Sequence, residues 1–271
     1  MPELPEVETT RRGIAPALAD HRVVDLIVRD RRLRWPIDAH LESAVRNRTV
    51  RRVERRAKYL LIELDHGTLI VHLGMSGSLR VLPAGVPARP HDHWDLVLDT
   101  GKVLRFHDPR RFGSLLWTEG DPLAHPLLKR LAPEPLGREF DAEYLYRATR
   151  KRSVAIKQLL MNSQIVVGVG NIYANEALFR ARISPRRAAR RLTRAQALAL
   201  AHAVKEVLRE AIKIGGTTLR DYVNAEGTPG YFAQKLYVYE RAGEPCRVCK
   251  TPIRRAAQGQ RSTYWCPKCQ R

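Results

Sequence analysis

Four cysteines near the C-terminal end constrain the fold more than any other feature of this chain. They form two C-x2-C pairs, Cys246 with Cys249 and Cys266 with Cys269, and 16 residues separate the pairs. Two residues between thiolates allow both sulfurs of a tight turn to face one ion, and this spacing is typical of a zinc site. Because four thiolates complete a tetrahedral shell, the sequence predicts one structural Zn2+ held by a hairpin, with the chemistry located elsewhere.

Two disulfides and a redox-active pair are the alternatives for these cysteines. Disulfides are uncommon in reducing compartments, and the opening sequence MPELPEVETT lacks the basic and apolar regions of a signal peptide. A redox pair is expected beside a βαβ unit, which the sequence does not indicate. No stretch approaches the roughly 18 consecutive apolar residues of a membrane span, so we expect a cytoplasmic protein.

The chain is strongly basic. It has 48 Lys and Arg against 28 Asp and Glu among 271 residues, which gives a formal net charge of +20 and a pI near 10.5. This balance favours a polyanionic partner, with nucleic acid ahead of an anionic membrane surface, and a merely soluble basic protein is the alternative. The length suggests two domains, and a hydrophobic content of 44% is sufficient for a packed core and excludes a disordered chain.

The first half of the chain predicts an antiparallel β-structure. Short apolar runs alternate with turn signals such as DTG at 99–101, which predicts a hairpin. Many short strands at this spacing are typical of a sandwich or barrel. Ahead of them, residues 3–19 have the apolar spacing of an amphipathic helix with acidic residues at its start, interrupted near Gly13 and Pro16. The predicted strands are 21–30, 59–65, 68–73, 78–82, 94–99, 103–107 and 114–118.

The second half predicts helices. Residues 132–137 are rich in chain breakers and are typical of a linker. Thr193 is a candidate N-cap and Gly215 a stop signal for the longest helix. Together the two halves predict an α+β chain with an N-terminal β domain and a C-terminal helical domain that carries the zinc hairpin. The predicted helices are 153–161, 171–179 and 193–214.

The segment VVGVGN at 166–171 lies between two predicted helices. Its glycines allow a close backbone approach, and the N-terminus of the following helix offers free N–H groups to an anion. It is not a dinucleotide fingerprint, because the third glycine is missing and a helix precedes the segment. A tight packing turn is the alternative, but in a chain of this charge the segment is a candidate clamp for a DNA phosphate.

Pro2 and Glu3 form a candidate catalytic pair. Removal of Met1, which is common before a small residue, exposes a secondary amine on Pro2. An α-amino group has a pKa near 8, so about a tenth of it is neutral and nucleophilic at pH 7. Its attack on a sugar C1′ gives an iminium that acts as an electron sink, with Glu3 beside it as a general acid or base. The alternative is that Pro2 only starts the chain and Glu3 only favours the helix dipole.

Five separated motifs resemble formamidopyrimidine-DNA glycosylase. They occur in the family's order, and the resemblance spans essentially the whole chain. It implies an enzyme that excises oxidised purines, notably 8-oxoguanine and ring-opened formamidopyrimidines, and then cleaves the abasic strand. The motifs are PELPEVET at 2–9, HLGMSG at 72–77, DPRRFG at 108–113, GVGNIYANE at 168–176 and the cysteine region 246–269.

The resemblance also implies an architecture and a setting. The fold is an N-terminal antiparallel β-sandwich with an N-terminal helix, a helix–two-turn–helix domain and a zinc finger, with domains at 1–134, 135–236 and 237–271. The partner is double-stranded DNA, bound by a monomer in the bacterial cytoplasm and nucleoid. One departure is Asn162-Ser163, where many relatives have an acidic residue, and it is expected to alter helix capping before the glycine segment.

The resemblance implies four catalytic residues. Pro2 is the Schiff-base nucleophile and Glu3 is the catalytic acid. Lys58 is implied as the proton donor in β-elimination, and Arg261, in the zinc hairpin, is implied in δ-elimination. From the residues alone, Lys58 belongs to a run of five cations between 51 and 58, which by itself favours a solvated basic face.

Four further residues are implied to contact DNA. His91, Arg110 and Arg152 match DNA-contact positions of the family, and Asn171 is implied at a phosphate. The residue types alone leave other roles open. His91 and His93 are also consistent with an exposed pair or a metal site.

A last set is implied to act when the damaged base flips out of the duplex. Met75, Arg110 and Phe112 resemble the residues that fill the resulting gap, and 215–222 resemble the loop that covers the base. The alternative for Met75 and Phe112 is a place in the hydrophobic core, where such residues are ordinarily found.

Two other functions are compatible with parts of the sequence. A sister enzyme of the endonuclease VIII type shares the Pro2-Glu3 pair but prefers oxidised pyrimidines, whereas Leu4-Pro5 and the complete gap-filling set favour the purine enzyme. A catalytically silent binder of lesions or bent DNA would bind without cutting. The joint presence of Pro2, Glu3 and Lys58 argues against such a binder.

Overall fold

The computed structural model describes residues 2–217 and 232–271. The chain divides into two compact units. Unit 1 comprises residues 1–129 and 214–233, and unit 2 comprises residues 130–213 and 234–271. Within the described ranges, no helix is both long and apolar enough to cross a membrane.

Unit 1 begins with helix α1, Leu4–Leu18. The Glu6 carboxylate accepts the backbone N–H of Glu3 at 2.7 Å and so satisfies a donor that the helix itself leaves unpaired. The predicted interruption near Gly13 and Pro16 is wrong, because α1 is continuous through both residues. Pro16 lies in the last turn of α1, and its missing N–H removes one backbone hydrogen bond of the helix. Burial of the apolar face of α1 against the sheets stabilises the helix.

In the described part of unit 1, eight strands form two antiparallel sheets, which confirms the predicted β-sandwich. The orders are β1-β6-β7-β5 and β2-β3-β4-β8. Apolar side chains from both sheets share one core. In it the rings of Trp94 and Phe106 stack with their centres 5.4 Å apart. The strands are β1 Val23–Val28, β2 Val50–Arg56, β3 Tyr59–Leu64, β4 Thr68–His72, β5 Ser78–Pro83, β6 Asp92–Leu98, β7 Lys102–His107 and β8 Ser114–Thr118.

Strand β2 and the short helix α2, Leu41–Val45, were not predicted. Five of the seven residues of β2 are charged, and only Val50 and Val53 are buried. Val50 and Val53 are three positions apart, so the segment lacks the alternation of apolar and polar residues from which a strand is predicted. β2 is an edge strand with a single row of hydrogen bonds, which β3 supplies. Arg51, Arg52 and Glu54 are exposed, whereas Arg55 forms an ion pair with Glu8 at 3.1 Å.

Unit 2 contains the predicted helices and hairpin together with one helix that was not predicted, α3, Ala142–Thr149. The Asp141 carboxylate accepts the N–H of Tyr144 at 2.7 Å and begins α3, which packs against α6. Thr193 and Gln196 exchange two hydrogen bonds of 3.2 Å at the start of α6, which confirms the predicted cap. The other elements are α4 Ile156–Leu160, α5 Asn171–Arg180, α6 Arg194–Lys213, β9 Arg254–Gln258 and β10 Arg261–Trp265.

A buried carboxylate organises the chain that leads into the hairpin. Glu176 of α5 is 0% exposed and accepts the backbone N–H groups of Tyr237, Val238 and Tyr239 at 2.9–3.0 Å. Burial raises the pKa of Glu176, while these three hydrogen bonds oppose the shift. The last residue of the glycine motif therefore has a structural role within unit 2.

Candidate functional site

Pro2 and Glu3 lie at the start of α1 and both are buried. Glu6, one turn further on, accepts the N–H of Glu3 through Oε2 and the N–H of Thr217 through Oε1 at 2.8 Å. Gly216 has a φ of +82°, and a Cβ there would lie 3.1 Å from the Glu6 carboxylate. Glu6 thus fixes the candidate catalytic pair and the root of the predicted covering loop, whose residues 218–222 are outside the described ranges.

Lys58 lies in the turn between β2 and β3 and is half-buried. Burial, reinforced by the positive charges of Lys58 and Arg34, lowers the pKa of His72 to about 4. The Nδ1 atom of His72 accepts the N–H of Gly74 at 2.9 Å, and its ring packs against Tyr59 at 4.8 Å. The imidazole near Lys58 is therefore neutral at pH 7 and adds no second cation.

Two loops of unit 1, 73–77 and 108–113, carry the candidate gap-filling residues. Asp108 is fully buried and joins them. One of its carboxylate oxygens accepts the hydroxyl of Ser76 at 2.6 Å, and the other accepts the N–H of Gly113 at 2.8 Å. The N–H of Arg110 donates to the same carboxylate at 3.2 Å. Both loops are thus fixed by one side chain.

The close approach of these loops also requires a glycine. Gly74 has a φ of +65°, and a Cβ there would lie 2.4 Å from the backbone carbon of Phe112. The Phe112 ring is 44% exposed, and the Arg110 guanidinium lies 5.0 Å from the ring centre. Met75 is half-buried. An exposed phenylalanine on a rigid loop is unlike a core residue.

His91 and His93 have different environments. His91 is exposed at a φ of +72°, and its carbonyl accepts the N–H of Asp108 at 3.0 Å. His93 is 2% exposed, and its Nε2 hydrogen-bonds the carbonyl of Asp108 at 2.7 Å. An exposed histidine pair is therefore wrong, and within the described ranges the candidate metal cluster contains cysteines alone.

The four cysteines of unit 2 meet at one point. Their Sγ atoms lie within 4.8 Å of one another, with 3.9 Å between Cys246 and Cys269 and 3.3 Å between Cys249 and Cys266. A tetrahedral Zn2+ with Zn–S bonds of about 2.3 Å requires S–S separations of about 3.8 Å. All four cysteines are free thiols, so the disulfide alternative is wrong. The donor set fits one structural zinc.

Comparison with known proteins agrees with this architecture. Three family models match, namely the formamidopyrimidine-DNA glycosylase N-terminal domain at residues 1–115, its H2TH domain at 131–223, and a zinc finger found in FPG and IleRS at 243–271. Formamidopyrimidine-DNA glycosylase of Thioalkalivibrio sulfidiphilus is 61% identical over 271 residues, 100% of each chain. The same enzyme of Methylococcus capsulatus is 58% identical over the same span.

The chain belongs to the formamidopyrimidine-DNA glycosylase family. The crystal structure of the MutM (Fpg) protein of Thermus thermophilus has 42% identity and a TM-score of 0.89, covering 99% of this chain and 98% of that one. The Lactococcus lactis Fpg bound to DNA containing an abasic site has 32% identity and a TM-score of 0.92, covering 99% of each chain. Family membership makes this chain a DNA glycosylase and abasic-site lyase of base-excision repair, with one structural zinc.

In this glycosylase the zinc hairpin is held by side chains from helices α4 and α5 of unit 2. Arg261 is exposed at the start of β10. Its neighbour Ser262 accepts, through the carbonyl, the Lys157 ammonium at 2.9 Å and the Asn171 amide at 3.0 Å. Lys157 is 1% exposed and also donates to Thr263 Oγ1 at 2.7 Å. Sequence reasoning missed Lys157, because its partners lie 105 and 106 positions further along the chain.

The predicted DNA contacts of unit 2 occupy two positions. Asn171 is the first residue of α5, directly after Gly170, and Arg152 is exposed beyond α3. Asn162-Ser163, where many relatives have an acidic residue, leaves the turn before the glycine segment intact. Asn162 Oδ1 accepts the N–H of Gln164 at 2.9 Å, as an aspartate would. The predicted DNA contacts His91 and Arg110 lie in unit 1. The predicted catalytic residues Pro2, Glu3 and Lys58 also lie in unit 1, whereas Arg261 lies in unit 2.

Asp108→Ala should destabilise unit 1 and misplace both gap-filling loops. The change leaves the buried donors of Ser76 and Gly113 and the partly exposed N–H of Arg110 without their acceptor, and we expect a loss of about 3 kcal/mol in the free energy of unfolding. Ser76→Ala removes one partner and should cost about 1 kcal/mol. Urea unfolding measures both. Equal stability of Asp108→Ala and the wild type would contradict the joining role of this carboxylate.

Proposed function

We propose that Pro2, Glu3, Lys58 and Arg261 carry out excision of oxidised purines and β,δ-elimination. The Pro2 amine attacks C1′, the bond from C1′ to the base breaks, and Glu3 supplies the proton to the departing base. The attacking nitrogen then loses its proton, and the C1′–O4′ bond opens with a proton added to O4′, which gives the iminium. The iminium accepts the electrons of the C2′–H bond as that proton passes to water, and the C3′–O bond breaks with the phosphate as leaving group and Lys58 as proton donor. A second elimination assisted by Arg261 breaks the C5′–O bond.

The observation that carries this proposal is the placement of the Pro2-Glu3 pair. Glu3 is 2% exposed, next to the residue whose ring nitrogen would be the nucleophile, and Glu6 fixes the backbone between them and α1. A carboxyl group held beside the nucleophile is placed to transfer a proton at the reacting centre. Lys58 lies near His72, whose lowered pKa keeps that imidazole neutral at pH 7.

DNA binding is assigned to both units. His91, Arg110 and Arg152 are proposed to contact DNA and Asn171 to contact a phosphate, roles that the +20 net charge of the chain supports. Met75, Arg110 and Phe112 are proposed to occupy the space left by the extruded base. Apolar wedges combined with an arginine can offset the few kcal/mol that unstacking costs.

The proposed wedge predicts that Met75→Ala and Phe112→Ala separate stability from activity. Each change should cost less than about 2 kcal/mol in unfolding free energy, because the side chains are half-buried or exposed. Excision from a paired lesion should fall by about tenfold or more, with a smaller defect when the target base is already unpaired. Melting curves and single-turnover excision test this. Large melting losses with equal activity losses on both substrates would place these residues in the core.

Substrate choice is tested by strand nicking on matched duplexes. An 8-oxoguanine duplex should be cut and should leave phosphates at both new ends, as β,δ-elimination requires. A thymine-glycol duplex should be cut more slowly. A reversed preference would assign the chain to the endonuclease VIII type, and lesion binding without any cutting would make it a silent binder.

The remaining assignments concern organisation and setting. We propose a catalytic domain at 1–134, a helical DNA-binding domain at 135–236 and a zinc finger at 237–271, which the three family matches support. The protein is proposed to act as a monomer in the bacterial cytoplasm, on the nucleoid. Its DNA substrate and its charge support that location.

A further inference from the structure

A concave surface of unit 2 is lined by arginines that none of the assigned functions uses. The hollow has a volume of about 850 Å³, and its charged lining residues are Arg186, Arg187, Arg191 and Arg254. Trp265 forms part of its wall, and the Arg186 guanidinium lies 5.9 Å from the centre of that ring. No acidic residue is among the described residues that line it. We name this surface the arginine hollow.

The backbone of unit 2 holds the arginine hollow beside a proposed DNA contact. The carbonyl of Arg187 accepts the N–H of Ile156 at 2.8 Å, and the carbonyl of Arg152 accepts the N–H of Arg190 at 2.9 Å. A 3-10 turn at Ala189–Arg191 completes this arrangement. The segments 152–156 and 187–190 therefore lie side by side, so the backbone that carries Arg187 and Arg191 of the hollow is bonded next to that of Arg152.

The charges of the arginine hollow are not compensated within the described part of the chain. Arg186, Arg191 and Arg254 are exposed and take part in none of the ion pairs found there. Arg187 donates to the neutral side-chain oxygen of Gln196 at 3.0 Å. Like charges held together repel one another and disfavour the compact state, and a polyanion at this surface relieves the repulsion. The planar guanidinium fork matches phosphate oxygens.

We propose that the arginine hollow binds backbone phosphates of undamaged duplex DNA, outside the lesion site. This inference rests on the proposed DNA function but assigns a different surface and a different task. The hollow contributes affinity that does not depend on damage and that falls with salt, and so retains the enzyme on DNA between lesions. The cation–π contact with Trp265 holds the Arg186 guanidinium in place.

The test compares two variants that each lose three positive charges. The first carries Arg186→Gln, Arg191→Gln and Arg254→Gln. The control carries Arg22→Gln, Arg51→Gln and Lys102→Gln, which are cations on the surface of unit 1. Fluorescence anisotropy measures binding to an undamaged duplex of about four helical turns over a range of salt concentrations.

Three lost phosphate contacts should lower the slope of log K against log salt by about 2.7, at about 0.9 per contact. The control should change the slope by less than about 0.9, the value for one contact. Replacement of Arg186, Arg191 and Arg254 by lysine should leave the slope unchanged. An equal loss in the control, or an unchanged slope in the first variant, would overturn the proposal. Tighter binding of the wild type to anionic vesicles than to duplex would also overturn it.

Nicking of a short lesion duplex separates this inference from the proposed function. At saturating enzyme, the first variant should cut an 8-oxoguanine duplex of about one helical turn at the wild-type rate. If that rate falls together with binding, the arginine hollow belongs to the lesion site and the inference fails. If the wild type does not cut this duplex, the proposed function fails, whatever the salt slopes are.

Discussion

Cys249→Ser is expected to abolish strand cutting and specific DNA binding while unit 1 stays folded. Loss of one of four thiolates removes much of a metal-binding free energy that reaches about 10–16 kcal/mol in small zinc modules. The hairpin that carries Arg261 packs on a small core of its own around Cys246, Cys266 and Phe179. The sandwich of unit 1 has a separate core. Metal content, DNA titration and nicking measure the effects.

Val248→Ser is the matched control for this prediction. Val248 lies in the same turn and is 60% exposed, so its replacement leaves the four thiolates and the small core in place. The control should retain zinc, binding and nicking. If removal of the metal by a chelator left lesion binding unchanged, the zinc finger would have no part in holding DNA.

Glu3→Gln should separate base excision from strand cleavage. Loss of the acid is expected to slow excision of 8-oxoguanine by about 10²–10⁴-fold. Cleavage of a duplex that already contains an abasic site should be far less affected, because that reaction needs the Pro2 amine and no departing base. Single-turnover rates on the two duplexes measure the difference.

Glutamine preserves the length of the Glu3 side chain, and α1 should keep its start because the bond from the Glu3 N–H to Glu6 uses the backbone. A circular dichroism spectrum and a melting curve check this. Equal losses on the lesion duplex and the abasic duplex would show that Glu3 only supports the fold. Equal retention on both would assign the acid to another residue.

The sequence predicted the elements that local patterns specify. Strands with apolar runs, the hairpin turn at 99–101, the cap at Thr193 and the cysteine cluster all follow from residues close together in the chain. Strand β2 was not predicted because an edge strand tolerates five charges in seven residues. Helix α3 was missed because it is short, and packing against α6 rather than a long apolar pattern stabilises it.

The candidate site was predicted less completely for a related reason. Motifs identified Met75, Arg110 and Phe112, but the role of Asp108 depends on a contact with Ser76 across 32 positions of the chain. Lys157 likewise bonds the hairpin across 105 positions. Contacts between distant segments leave no periodic signal in a single sequence, so such positioning residues become visible only in the fold.

Borohydride trapping tests the assignment of Pro2 most directly. Reduction of the iminium should give a stable covalent adduct between the enzyme and an 8-oxoguanine duplex, and peptide mass analysis should locate the bond at Pro2. Pro2→Gly should reduce the adduct sharply, and a form that retains Met1, which lies outside the described residues, should give none because its amine is blocked. Equal trapping by the Met1-retaining form, with the bond at a lysine, would contradict the proposed mechanism.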